Sequence, residues 1–402
     1  MRMRTVDYGE SVQKLDEWIT ANDWKAYDPF DGLSATRFGL GGVTNHYLKI
    51  VIQQSVRRIP INLRPILGIR PQTSSKGMGF CALGYLHLYR ATGDAQFMDK
   101  LKHCLDWLMD DYCRDFSGRS WGNHFNYEFR AGTIPRGVPT IVWTSLIANA
   151  FLDAYDEIGD ERYVETARLA GEFICKDLSR HHEDDGTFCF MYTPIKKTNL
   201  FDFCIHNSNV LGGWFLARLH KYTSEDQLLE LANQAIGYTA NRQLENGGWN
   251  YGEPTKFHWV DSFHTGYVLE SLHGYQQATG DETFNDVLVK GYKYFIEKFF
   301  EQDGTPRYYD YKRYPIDIQC ASQGIQTLVN LRQYDDASVS IAEKVAEWTI
   351  QNMQDPSGYF YYRKYPLMTN KTPLFHWGQA TMLAALAVLL EVTQSQVAGS
   401  EE

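Results

Sequence analysis

The 402-residue sequence has no Cys-x-x-Cys pair, no apolar run long enough for a secretory leader or a membrane-spanning helix, and no Pro/Gly/Ser-rich linker. Each absence closes a class of protein. The seven cysteines (Cys81, Cys104, Cys113, Cys175, Cys189, Cys204 and Cys320) are odd in number and scattered, which favours reduced, mostly buried thiols over a disulfide framework. Without a leader or a span, the expectation is a cytoplasmic protein with no transmembrane segment. Without a linker, one domain is expected over residues 1–392, followed by a polar tail at 393–402. Positive charge is in short supply. Lys and Arg total 39 against 49 Asp and Glu, so the net charge of −10 repels phosphate backbones and excludes nucleic acid as the expected partner. A phosphate-binding P-loop, a Gly-x-Gly-x-x-Gly opening a helix and a Gly-x-Ser-x-Gly elbow are all missing, which argues against nucleotide-sugar transfer through a Rossmann domain.

Hydrophobic residues make up 44% of the chain, enough for a large core, and aromatics reach 14%, with 26 Tyr, 22 Phe and 10 Trp. A repeat organises them. An apolar helical stretch, a short Gly-Asp-like turn and an amphipathic helix recur with the turns at Gly93, Gly159, Ser224 and Gly280, at intervals of 66, 65 and 56 residues. The glycine ends the first helix and the following Asp caps the second. Second helices space apolar residues helically (Phe97, Leu101, Leu105, Leu108), whereas first helices carry small residues such as Ala148, Gly212 and Gly213 that permit close approach. A fifth unit runs from Ile325 through Asp335 to Met353. The stretch Trp377 to Val392, taken with a helix around Val43 to Arg57, supplies a sixth. The fold expected is all-α, an (α/α)6 toroid of helical hairpins.

The return loops share a polar or Gly turn followed by aromatics, as in Gly118 to Trp121, Asp185 to Phe188, Asn246-Gly247-Gly248-Trp249, Asp303 to Tyr309 and Pro356 to Tyr362. Two readings stand. Either each aromatic plugs the gap between neighbouring hairpins, or the rings line a mouth suited to stacking on sugars.

Several segments carry a resemblance: Ala82 to Asp94, Phe263-His264-Thr265-Gly266-Tyr267, Tyr314-Pro315-Ile316-Asp317-Ile318, and Gly358-Tyr359-Phe360-Tyr361-Tyr362-Arg363. Over residues 70–390 the chain resembles six-hairpin glycosidase-like α/α-toroid enzymes, most closely the polysaccharide-biosynthesis toroids of bacterial and archaeal surface-glycan clusters. The resemblance implies a carbohydrate-active protein, a hydrolase, lyase or uronyl or sugar epimerase, acting on an oligo- or polysaccharide that includes acidic ones. The alternative it leaves is a noncatalytic glycan-binding toroid docked in a glycan-assembly complex. Gln243-Leu244-Glu245-Asn246-Gly247-Gly248-Trp249 is also similar to the Gln/Trp repeat of triterpene cyclases, which staples adjacent hairpins, but the Asp-x-Asp-Asp motif of that family is absent.

The densest chemistry is His258-Trp259-Val260-Asp261-Ser262-Phe263-His264. Asp261 stands three residues before His264, on the same side of a helix, where it can accept the imidazole proton and fix the tautomer of a general base. As a helix N-cap at a solvent-facing start, Asp261 also has a purely structural reading. The preceding hairpin opens with His206 and the following one with Tyr314 and Asp317. The catalytic set expected is Asp261, His264, His206 and Asp317. Substrate contacts are expected from Trp121, Glu128, Arg130, Trp249, His258, Trp259, Tyr314, Tyr361, Arg363, His376 and Trp377, with the two arginines suited to clamping a uronate. No cofactor and no metal is expected, because the pairing of His206 with Cys204 or His264 lacks zinc-site spacing.

Overall fold

A computed structural model describes residues 7–129, 132–195 and 203–400. In chain order the helices are α1 (Tyr8–Ala21), α2 (His46–Arg58), the single turn α3 (Arg64–Leu67), α4 (Ser75–Thr92), α5 (Ala95–Asp110), α6 (Ile141–Ile158), α7 (Glu161–Asp177), α8 (His206–Thr223), α9 (Asp226–Ala240), α10 (Ser262–Thr279), α11 (Asn285–Phe299), α12 (Ile318–Asn330), α13 (Ser338–Met353) and α14 (Thr381–Ser400). Strands are short: β1 (Tyr127–Phe129) with β2 (Gly132–Ile134), β3 (Arg180–His182) with β4 (Phe188–Phe190), and a three-stranded patch of β5 (Ile316–Asp317), β6 (Arg363–Lys364) and β7 (Thr369–Asn370). Backbone contacts divide the chain into two compact units, one of residues 107–298 and one of residues 1–106 with 299–402.

The hairpin turns form as their residues dictate. Gly93, Gly159 and Gly280 sit at φ of 67°, 72° and 73°, and Ser224 takes the same left-handed place at 56°. Asp160 then caps α7 by accepting from Arg162 N. First helices are buried on nearly every side: in α12 every residue from Ile318 to Val329 is buried. Second helices bury one stripe, as α7 does with Tyr163, Ala167, Ala170 and Ile174. Four of the first helices are capped by polar side chains, Ser74 for α4, Thr140 for α6, Asp261 for α10 and Asp317 for α12, whereas α8 follows Ile205 without a side-chain cap.

The 107–298 unit stacks α6, α8 and α10 side by side, with α7 and α9 behind them. The other unit sets α14 between α4 and α12. Its outer partner is α1, whose Val12, Leu15 and Ile19 are buried, and this corrects the expectation that the helix near Val43–Arg57 closes the sixth hairpin. That helix, α2, buries only Ile52, Gln53 and Val56, on the 3₁₀ turn Asp31–Ser34, and so has no second face for α14. The residues from Thr393, read as a polar tail, continue α14 to Ser400. Among the described residues one helical stretch, Phe375–Ser395, is long and apolar enough to cross a membrane, which corrects the expectation that no run reaches that length; 83% of its apolar window is buried against the protein, and it serves as core. Cys189 and Cys204 are paired as a disulfide with Cα atoms 6.0 Å apart, where seven reduced thiols were expected; β4 and the approach to α8 bring them together across a separation of 15 residues.

The return loops repeat one device. The Asp or Asn at the turn accepts from the backbone two residues on: Asp185 from Thr187 N, Asn246 from Gly248 N, Asp303 from Thr305 N and Asp355 from Ser357 N, at 2.9–3.0 Å. The aromatics that follow turn inward. Trp121 and Trp249 are 1% and 3% exposed, and their Nε1 groups donate to Leu108 O and Thr239 O at 3.1 and 3.0 Å. Of the two readings of these loops, gap filling holds for both tryptophans, because an indole buried to its nitrogen satisfies that nitrogen from the core side.

Candidate active site

In the 107–298 unit, residues after Trp249 run extended between the starts of α8 and α10. Tyr251 N donates to Trp259 O at 2.9 Å, and Tyr251 O accepts from His206 N at 3.2 Å. This cross-link brings together side chains that lie more than 50 residues apart in sequence. Lining the resulting pocket are His206, Asn207, Tyr251, Trp259, Asp261 and His264, with the edge of Trp249.

Asp261 is its organising residue. One oxygen, Oδ1, caps α10 by accepting from His264 N at 3.0 Å, and the other, Oδ2, accepts from His264 Nδ1 at 2.7 Å and from Trp259 Nε1 at 3.0 Å. The carboxylate is fully buried, which corrects the expectation of a solvent-facing cap. A buried carboxylate taking three N–H donors is an acceptor at every position, so His264 carries its proton on Nδ1. In the neutral imidazole the lone pair then lies on His264 Nε2. His264 is about one-fifth exposed, and among the described residues nothing bonds that nitrogen. Tyr251 stacks on Trp259 with centroids 4.8 Å apart and planes 14° apart, and it touches the His264 ring at 4.5 Å. The pair forms a flat wall beside the base.

His206, on the first residue of α8, is buried and its Nε2 lies 3.3 Å from Glu253 Oε1. Burial, together with the nearby Arg242 and His258 charges, pulls its pKa down to about 3, so the imidazole is neutral at physiological pH. With Nε2 turned to a carboxylate, the lone pair lies on Nδ1, which is buried and unpartnered among the described residues. Arg242 joins Glu253 and Glu183 at 2.8 Å each and stacks one face over Tyr238. Sequence reasoning missed Tyr251, Glu253 and Arg242; the signal was there in the aromatic and acid that follow the Gln243–Trp249 segment.

The other expected residues distribute as follows. His258 is exposed and its Nε2 is 2.8 Å from Glu253 O. Glu128, on β1, is buried and accepts from Thr133 Oγ1 at 2.7 Å. Arg130 lies outside the described residues. The remaining six belong to the unit of residues 1–106 and 299–402. There Asp317 caps α12 and receives Arg363 Nε at 2.5 Å, both side chains being buried. Arg363, expected to clamp a uronate, has its Nε held by Asp317 in this buried pair. Tyr361 donates to Asp355 at 3.0 Å, and Tyr314 is half-buried beside Arg313. The Arg57 guanidinium packs against both Trp377 and Phe30, at 4.9 and 4.5 Å, and the two rings also meet each other at 5.3 Å. His376 Nδ1 lies 3.0 Å from Asp28 Oδ2, and Lys76 Nζ reaches the same oxygen at 3.1 Å. Burial lowers the pKa of His376 to about 4 and also that of Lys76. This cluster ties α4 to the kinked turn Phe375–Ala380, where Gly378 takes a φ of 156°. Asp28, Lys76 and the buried Arg64–Asp31 pair at 2.8 Å were not foreseen. Among the described residues, no group of three or more His, Cys, Asp or Glu is placed to hold a metal ion.

No family model and no curated protein matches the sequence. Solved structures do match the fold. Cellobiose 2-epimerase from Bacillus thermoamylovorans aligns at 10% identity over 80% of this chain and 88% of that chain, with a TM-score of 0.62. A GH76 α-mannanase from Bacteroides thetaiotaomicron aligns at 13% over 81% and 88%, with a TM-score of 0.61. An inactive α-1,6-mannanase, GH76A of Salegentibacter sp. HEL1_6, in complex with α-1,6-mannotriose aligns at 14% over 96% and 98%, with a TM-score of 0.58. The fold is therefore all-α, the (α/α)6 toroid of the six-hairpin glycosidase-like type. At these identities the likeness establishes the fold, and chemistry must come from the site.

Proposed function

We propose that the chain is a carbohydrate-active enzyme that moves a proton at a sugar carbon next to a carbonyl, a sugar epimerase of the 2-epimerase kind working in surface-glycan metabolism. The observation that carries this reading is the pair of imidazoles lining one pocket: His264, oriented by Asp261, and His206, whose Nδ1 is buried and unpartnered among the described residues. Inversion at carbon needs a base that removes the proton and an acid that returns one to the opposite face. Here His264 Nε2 takes the C2 proton as the electrons pass to the carbonyl oxygen, and the imidazolium so formed returns a proton to the other face once the open-chain enediolate has turned about its C2–C3 bond. Neutral His206 serves as an acceptor for a hydroxyl proton. The Tyr251–Trp259 wall supplies a stacking face for the sugar ring.

Hydrolysis fits less well. Glycosidases of the usual kind place two carboxylates across the scissile bond, whereas among the described residues Asp261 is the one carboxylate lining this pocket and its oxygens are occupied by three donors. An open-chain neutral aldose fits better than a uronate, because the cation beside His206, Arg242, is neutralised by Glu183 and Glu253. Structures of the same fold with epimerase activity in their names support the reading, and the mannanases keep the hydrolase alternative in view. Incubation of candidate disaccharides and hexoses in D₂O with NMR detection tests it. One deuterium at C2 of an epimerised product is expected. Release of a reducing sugar without deuterium, or sugar binding with no turnover, overturns it in favour of hydrolysis or of a noncatalytic glycan-binding protein.

A further inference from the structure

Between Asp31 and Asp94 the sequence contains no acidic residue, yet the stretch carries eight Lys and Arg in a chain whose net charge is −10. Three of these cations are used internally: Arg64 pairs with Asp31, Lys76 pairs with Asp28, and Arg57 donates to Tyr362 OH at 2.7 Å. Arg37, Arg58 and Arg70 are exposed, and none has a carboxylate partner among the described residues. The same stretch concentrates exposed apolar side chains. Ten large hydrophobics are exposed among the described residues, and six of them fall between Phe38 and Ile66. Tyr47 and Val51, 77% and 58% exposed, stand one turn apart on α2, opposite the face that buries Ile52 and Val56. Phe38 is 74% exposed and sits at φ 60°, a left-handed conformation that a bulky residue adopts only under constraint. Thr36 N and Arg37 N both donate to Leu67 O at 3.2 Å, which fastens the Phe38 loop beside Ile66.

We infer that the segment Arg37–Arg70 is a docking surface for an anionic lipid bilayer. Charge complementarity selects the occupant. Cations without partners gain near a negatively charged headgroup layer, and aliphatic and aromatic side chains beside them gain by entering the acyl boundary. A soluble acidic glycan would satisfy Arg58 and Arg70 but offers nothing to Val51, Ile61 or Ile66. A second copy of the chain would face the same cations across a self-complementary contact. The net negative charge of the whole chain orients this segment, rather than any other face, toward such a membrane.

Vesicle flotation of the full chain decides the matter, using phosphatidylcholine mixed with phosphatidylglycerol and phosphatidylcholine alone. Flotation with the mixed vesicles only, weakening as salt is raised, is expected. Each cation is worth on the order of fivefold in partitioning, so the triple variant Arg37→Glu, Arg58→Glu, Arg70→Glu should lose on the order of a hundredfold or more. Val51→Ser with Ile61→Ser should weaken binding while leaving the charges in place. All five positions are exposed or carry no core contact, and an unchanged circular dichroism spectrum confirms the fold. Equal binding to neutral vesicles, no flotation at low salt, a triple variant that binds like the wild type, a concentration-dependent dimer abolished by these substitutions, or capture by soluble polyanions alone overturns the inference.

Discussion

At the residue scale, the decisive geometry is the three-residue interval from Asp261 to His264, and that interval was legible because a helix start imposes it. One carboxylate oxygen caps the backbone and the other meets the imidazole of the same turn. What the sequence did not show was burial: an Asp before a Ser reads as a surface cap until Trp259 folds over it and donates to the same oxygen. Burial sharpens the mutational expectation. In Asp261→Asn the Oδ1 cap survives, but the amide nitrogen faces two N–H donors, Trp259 Nε1 and His264 Nδ1. The imidazole relieves this by moving its proton to Nε2, which removes the lone pair from the pocket. The expected result is a fall in kcat of about 10²–10⁴-fold, with near-normal sugar affinity and a modest loss of thermal stability. Asp261→Ala removes the cap as well and should cost about 0.5–2 kcal/mol more, measurable by urea unfolding. A kcat within threefold of wild type in Asp261→Asn would show that Asp261 does no more than cap α10.

At the element scale, the hairpin repeat was readable because its punctuation is local: a left-handed Gly, a capping Asp, an Asx turn before an aromatic. The partner of α14 was not, since α1 and α2 are both plausible amphipathic segments and only three-dimensional packing distinguishes them. One local clue identifies α1. Gln243 Nε2 donates to Gly247 O of its own loop and to Val287 O of the following outer helix, at 3.0 and 2.8 Å. Gln354 repeats the device, donating to Gly358 O at 3.0 Å and to Ser11 O of α1 at 3.1 Å, while accepting from Ser11 Oγ at 2.8 Å. The staple thus names α1 as the outer helix that follows α13. Gln354→Met keeps the length of the side chain and removes three hydrogen bonds, leaving two carbonyls without their donor. A loss of about 1–3 kcal/mol is expected, with Glu10 to Ala21 gaining amide exchange ahead of the rest of the molecule. Uniform exchange across α1 and α13 would deny Gln354 that role. Close approach gives a second element-scale expectation. A Cβ on Gly84 would stand 2.9 Å from Leu383 and 3.1 Å from the backbone of α14. Gly84→Ala should therefore destabilise by about 1–3 kcal/mol through overpacking, against a helix-propensity gain of about 1 kcal/mol, and a raised thermal midpoint would contradict the contact.

At the scale of the whole molecule, each compact unit buries a neutral histidine, and the cluster of residues 28, 76 and 376 stayed hidden because its members are scattered: His376 and Asp28 lie 348 residues apart. His206 faces Glu253, Arg242 and His258, and burial sets its pKa at about 3; His376 faces Asp28 and Lys76, and burial sets its pKa at about 4. Unfolded histidines titrate near 6.5, so below about pH 6.5 the unfolded chain takes up two protons that the folded chain refuses, and stability falls with pH. Asp31 works in the opposite direction. Burial beside Arg64 raises its pKa to about 6, so the folded carboxyl takes up a proton that its unfolded counterpart does not accept until about pH 4. Two protons favouring unfolding against one favouring folding leave a net slope of about 1.4 kcal/mol per pH unit between about pH 6 and 4. Urea unfolding across that range should show the decline. His376→Gln keeps an amide donor for Asp28 and removes one of the two titrating histidines, which should nearly flatten the slope while leaving stability at pH 7.5 within about 1 kcal/mol of wild type. A variant that declines as steeply as the wild type would mean that His376 is protonated in the folded protein, and that the cluster it shares with Lys76 and Asp28 carries one more positive charge than the geometry assigns.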